Sequence, residues 1–174
     1  RRPTWIVRRK ERRVDVVLVD APDPVLLDEL VFVDAIAPHA DLLVRAEHAE
    51  RAGVIEPLAK AGIPTIIIKG SKSWKFDKQT ITAITVPPSH TDTDLYVTVQ
   101  PANVVFLGDL FWNGVYPFID NENGGSIGGM VSVLDSILPK IGDKTVVVPG
   151  HGPVGTKADL QAFRDMLAGI RDNV

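Results

Sequence analysis

The sequence predicts an α/β (α+β) domain in which sheet layers pack against helices, and three observations carry that reading. Apolar, β-branched runs of strand length recur along the chain, from VDVVLV at 14–19 to TVVV at 145–148. Two other stretches, 127–138 and 160–170, repeat their apolar residues at helical spacing. Strands followed by helices occur twice, and this alternation covers a sheet face with helices. With 174 residues such a domain buries roughly 70% of the surface its unfolded chain exposes. No linker or repeat divides the chain, so 1–174 reads as a single domain.

Taken in order, Val14–Val19 is a buried strand that ends at Asp20 and a Pro/Asp cluster. Leu26–Ala37 fits either a helix or a strand. Asp41–Ala46 reads as a short strand, followed by a polar helix over 47–52 that Gly53 stops and by a helical turn or two at 56–61. Ile63–Ile68 is a strand closed by Lys69-Gly70. Three strands follow at Thr80–Val86, Leu95–Val99 and Val104–Leu107, with Pro101-Ala102-Asn103 as the turn between the last two. Ser126 is the expected N-cap of a helix whose apolar positions are Ile127, Met130, Val131, Leu134, Ile137 and Leu138. Thr145–Val148 is a buried strand. Thr156 and Asp159 resemble a capping box for a last helix with the stripe Leu160, Phe163, Leu167 and Ile170.

Charge and cysteine content narrow the chemistry. There are 19 Lys and Arg against 22 Asp and Glu, a net charge of −3. Residues 1–13 (RRPTWIVRRKERR) concentrate the bases and read as a basic N-terminal arm or an edge strand. A solvated terminus is favoured there over a nucleic-acid or lipid contact, because no aromatic platform interleaves the bases. Arg1-Arg2 has no apolar segment behind it, so no export peptide is visible, and no run reaches the ~20 residues of a membrane span. Cytoplasm and periplasm both remain open. The chain has no cysteine, which excludes disulfides, thiolate metal sites and a cysteine nucleophile. Any metal must be held by His, Asp or Glu, and the only imidazoles are His39, His48, His90 and His151.

Three segments place a hard ligand at the end of an apolar strand: VPPSHTDTD with His90, VVFLGD with Asp109, and VVVPGHGP with His151. Ligands on loops over a rigid sheet form sites that are open yet well positioned. Gly108, Gly150 and Gly152 allow sharp turns and remove side chains that would crowd a ligand. Two imidazoles and a carboxylate suit Zn²⁺, or Fe or Mn with less preference. Each residue also has a structural reading: a lone strand-end His is commonly a hydrogen-bonded core or surface group, and Gly-Asp is commonly a turn. Thr91, Asp92 and Asp94 could orient the His90 ring or simply cap a polar turn.

VPPSHTDTD, NVVFLGDLFWNGVYPFID, GGSIGG and VVVPGHGPVGTKADLQAFRDML resemble, in order and spacing, the C-terminal half of the metallo-β-lactamase-fold hydrolases. The likeness spans roughly residues 80–170. It implies an αββα sandwich with a di-metal cleft at one edge, zinc being the metal the resemblance suggests, in which His90 binds one metal, Asp109 bridges two and His151 binds the other. It further implies hydrolysis of an ester, lactone, lactam or thioester by a metal-bound hydroxide. Trp74, Trp112, Tyr116 and Phe118 are aromatic candidates for a pocket wall, and WNGVYPFIDNENGGS should line part of the cleft.

The family's HxHxDH motif is not found. The nearest string, Ala37-Pro38-His39-Ala40-Asp41-Leu42, keeps one His and one Asp. Alternatively ADLLVRAEHAERAG matches the family's next strand and helix, which makes His39 and His48 structural or surface residues; this second placement also accounts for Glu47-His48. The region near 20–35 is then shortened or incomplete relative to the family. Two functional readings follow: a small-molecule hydrolase, or a non-catalytic binding or scaffold protein that has lost the motif. A nuclease is disfavoured, because the body is acidic and no basic stripe accompanies the motifs. The sequence does not give the oligomeric state.

Overall fold

The computed structural model describes residues 8–10, 13–15, 42–45, 65–76 and 78–173. Expected elements at 26–37, 47–52 and 56–61, with His39 and His48, lie outside the described residues. Strand β1 (Arg8–Lys10) pairs antiparallel with β2 (Arg13–Asp15), so part of the basic segment is strand. Strand β3 (Leu42–Arg45) pairs in parallel with β4 (Thr65–Ile68).

The largest sheet has five strands in sequential order: β5 (Ser71–Phe76), β6 (Gln79–Thr85), β7 (Leu95–Gln100), β8 (Val104–Trp112) and β9 (Val146–His151). The first four form an antiparallel meander, and β9 joins β8 in parallel. Parallel neighbours cannot be joined by a tight turn. Helix α1 (Ile127–Ile137) lies in the connection and continues into a short 3₁₀ turn at Leu138–Lys140. Helix α2 (Lys157–Asn173) follows β9.

Alternating side chains give the sheet two buried faces. On one, Val105 and Leu107 of β8 and Tyr96 of β7 pack with Met130, Leu134 and Ile137 of α1 and with Leu160, Phe163 and Leu167 of α2. On the other, Ile81 and Ala83 of β6 and Val97 and Val99 of β7 pack with Ile68 of β4. Helices on one face of the sheet and Ile68 of a second, parallel strand pair on the other agree with the layering expected of an αββα sandwich. Removing a fully buried side chain here, Leu134→Ala for example, costs about 2–5 kcal/mol. A bidentate pair bridges the helices outside the core, with Arg164 Nε and Nη2 donating to Asp135 at 2.7 and 3.0 Å.

Local signals behave as their chemistry dictates. Ser126 Oγ accepts from Gly129 N–H at 3.0 Å and caps α1. Thr156 and Asp159 cap α2 reciprocally: Thr156 N–H donates to Asp159 Oδ2 at 2.8 Å, and Asp159 N–H donates to Thr156 Oγ1 at 3.3 Å. Two expectations need correction, and one strand falls where no element was expected. Ile170 is exposed, and Ala168 takes the buried place in the last turns of α2. Ser71–Phe76 (SKSWKF) is a strand despite its two lysines, because it pairs antiparallel with β6 along its whole length, and among the described strands it stands at the end of the sheet order. Strand β8 runs past Leu107 to Trp112, so Asp109 lies within an irregular strand rather than after one. The pairing with β9 shifts register between Phe106 and Gly108 and again before Trp112, with Gly108 at φ +52°.

Candidate metal centre

His90 sits on the loop after β6 and is 2% exposed. Asp94 organises that loop. Its carboxylate accepts from Ser89 Oγ, from Thr91 N–H at 2.9 Å and from Thr91 Oγ1 at 3.1 Å, and it lies 3.8 Å from His90 Nδ1. Of the two roles weighed for Asp94, the capped polar turn is present, and the same carboxylate also stands beside the imidazole. Asp92 serves a different contact, with its backbone N–H donating to Asn123 O at 2.9 Å.

Asp109 and His151 approach from neighbouring parallel strands. His151 Nε2 lies 3.1 Å from Asp109 Oδ1, and the His151 side chain is half exposed while Asp109 is mostly covered. Gly150 makes the approach possible: a Cβ there would stand 2.3 Å from Asp109 Oδ1 and 2.7 Å from the Gly108 carbonyl carbon. Trp112 stacks on the His151 ring at 3.7 Å between centroids, with its Nε1–H donating to Asp109 O at 3.1 Å. The His90 ring is 6.2 Å from the same indole. Trp112 is thus flanked by both imidazoles.

The segment after β8 ties these parts together. At one end Asn113 N–H donates to His151 O at 2.8 Å, and Asn113 Nδ2 donates to Pro153 O at 2.8 Å. At the other, Asp120 N–H donates to His90 O at 3.1 Å. The chain then turns tightly: Gly125 N–H donates to Asp120 O at 2.7 Å, and a Cβ on Gly125 would stand 2.0 Å from His90 O. Asn123 donates to the Asp120 carboxylate from its amide at 2.6 Å and its backbone at 3.1 Å. Those donors hold the Asp120 pKa below the ordinary carboxylate value.

Asn113 and Asp120 were not singled out by sequence reasoning. The signal for Asp120 was present in Asp120-Asn121-Glu122-Asn123, the spacing at which a side chain caps its own turn. Asn113 carries no local signal, because its partners are 38 and 40 residues away in sequence. Of the pocket-wall candidates, Tyr116 and Phe118 are strongly exposed, whereas Trp112 is partly buried among the site residues and Trp74 packs against the opposite sheet face.

In donor type, one carboxylate and two imidazoles fit a divalent transition metal. In placement, Asp109 and His151 converge, and His90 stands across Trp112 from them. Among the described residues no group of three His, Asp or Glu side chains is arranged to hold a metal ion. The described donors therefore fall short of the three or four protein ligands that zinc sites use.

No protein-family model matches this sequence, and no curated protein sequence matches it either. Solved structures do match. A metallo-beta-lactamase from Pontibacter korlensis aligns with a TM-score of 0.58 at 16% identity, over 72% of this chain and 67% of its own. The DIM-1 metallo-beta-lactamase aligns with a TM-score of 0.57 at 15% identity, over 74% of this chain and 68% of its own. TMB-1 aligns with a TM-score of 0.56 at 15% identity, over 74% and 67%. The chain has the metallo-β-lactamase fold. Among the described residues no helix is long and apolar enough to cross a membrane.

Proposed function

We propose that the protein is a metal-dependent hydrolase of a small-molecule ester, lactone, lactam or thioester, with His90, Asp109 and His151 among the metal ligands. The observation that carries this reading is the Asp109–His151 pair. The irregular middle of β8 and the end of β9 bring a carboxylate and an imidazole to 3.1 Å, beside a glycine whose hydrogen leaves room for the carboxylate. His151 is accessible to a substrate, His90 is buried and oriented beside Asp94, and Trp112 fixes the His151 ring plane. Bound by these residues, zinc (or iron or manganese) supplies Lewis acidity and lowers the pKa of a water toward about 7. Asp109, held within the sheet, contributes the negative charge that offsets a dication, and the two imidazoles act as neutral donors.

A second reading rests on its own observation. Because no three-donor group exists among the described residues, the fold could instead serve as a non-catalytic binding or scaffold protein. Metal content of the purified protein separates the two. The hydrolase reading expects at least one tightly held equivalent, lost in Asp109→Ala and kept in His48→Ala, together with turnover of chromogenic esters or lactams. Less than one equivalent, or equal retention in both variants, sinks the metal assignment.

A further inference from the structure

We infer that the substrate of this site is electrically neutral and carries an apolar acyl group, which lies along the segment between Asn113 and Asp120. This deepens the hydrolase reading and rests on it. That segment is anchored at one end to the His151 carbonyl and at the other to the His90 carbonyl, so it spans the distance between the two imidazoles. Between its anchors it exposes large apolar side chains: Tyr116 is 77% exposed, Phe118 is 64% exposed, and Val115 is about half exposed. Val154 is also exposed, on the turn whose Pro153 carbonyl Asn113 holds. Large apolar side chains left in water on one segment beside a polar site mark a surface made for a ligand.

Charge selects the kind of ligand. No Lys or Arg occurs from 79 through 139, nor from 145 through 156, the stretches that carry the His90 loop, β8, the Asn113–Asp120 segment and the His151 turn. Apart from Asp109, whose charge the hydrolase reading gives to the metal, those stretches carry Asp92, Asp94, Asp120, Glu122 and Asp135. Lys140 and Lys144 lie between the two stretches, and Lys157, the first base after the His151 turn, donates to Ile141 O at 3.0 Å. A carboxylate or phosphate on the acyl group would meet like charges with no counter-ion on these loops, whereas a neutral chain would meet Tyr116 and Phe118.

The test compares two eight-carbon ligands that differ in one charge. Isothermal titration of the metal-loaded protein with octanamide and with suberamate (the same chain ending in a carboxylate) should give at least about tenfold tighter binding of octanamide. The Tyr116→Ser/Phe118→Ser double variant should lose most of that affinity, with metal content and melting temperature unchanged. Tyr116→Lys should shift the preference toward suberamate. Equal affinity for the two ligands, binding of neither, or tighter suberamate binding by the unmodified protein overturns the inference. Turnover is scored separately with p-nitrophenyl octanoate. A preserved octanamide preference without ester cleavage would remove the hydrolase reading and leave the binding preference standing.

Discussion

The His90 loop and the His151 turn hold the same functional group in opposite ways. His90 is buried, and its loop is tied by side-chain hydrogen bonds to Asp94 and by its own carbonyl to Asp120. His151 is half exposed, and it is placed by a strand end, an aromatic stack and the backbone contact to Asn113. Fixing a donor by burial binds its function to stability, because every contact that orients the ring also holds the fold together. Fixing a donor by backbone pairing leaves the side chain free of that duty. The two imidazoles should therefore respond differently to mutation.

The largest effect is expected where the buried loop meets backbone. Gly125→Ala would press a methyl group onto the His90 carbonyl, which neither segment can relieve without breaking the Asp120 contacts. A loss of about 3 kcal/mol or more, measured by urea denaturation, is expected; a change below about 1 kcal/mol would show that the two loops are loosely coupled. Next comes Asp94→Ala, which strands the Ser89 hydroxyl and the Thr91 N–H in a covered site and should cost about 2–3 kcal/mol. Asp94→Asn, which keeps one carbonyl acceptor, should recover part of that loss. His151→Ala should cost under about 1 kcal/mol in stability yet reduce bound metal as severely as Asp109→Ala. Equal destabilisation by His151→Ala and Asp94→Ala would erase the distinction between the two regions.

The smallest expected effect lies away from both, in the helical layer. Hydrogen bonds from the Arg164 guanidinium hold the Asp135 carboxyl below its usual range. A depressed carboxylate contributes stability above its unfolded value near about 3.9 and loses it as pH falls through the lower folded value. Asp135→Asn should therefore narrow the stability difference between pH 5 and pH 3 while leaving metal content unchanged. An unchanged acid limb would mean that the pair is too well solvated to matter.

Local chemistry made much of this molecule readable. The α1 N-cap and the reciprocal α2 cap depend on residues three apart, and the strand runs of β6, β7 and β9 announce themselves by apolar content. The segments carrying His90, Asp109 and His151 were visible for the same reason, since each ends an apolar run. What escaped depends on distant partners. Strand β5 looks polar in sequence, and its pairing with β6, which composition does not announce, marks it as a strand. The extension of β8 through Asp109 depends on β9, and the role of Asn113 depends on the His151 turn. The convergence of Asp109 with His151 was expected from the resemblance, whereas the indole between the imidazoles was not. Trp112 had been read as a pocket wall or as core.

The parallel pairing of β8 with β9 has a consequence for how this site comes into being. Asp109 and His151 belong to strands that no hairpin can join, and α1 must be traversed before the second can dock beside the first. The chain entropy of closing so long a connection is spent before any contact between the two residues is gained. The meander of β5 to β8 is built from neighbours in sequence, the longest link being the loop of 86–94 that carries His90. A molecule in which β9 has not yet docked would carry the His90 loop and Asp109 without His151 beside them.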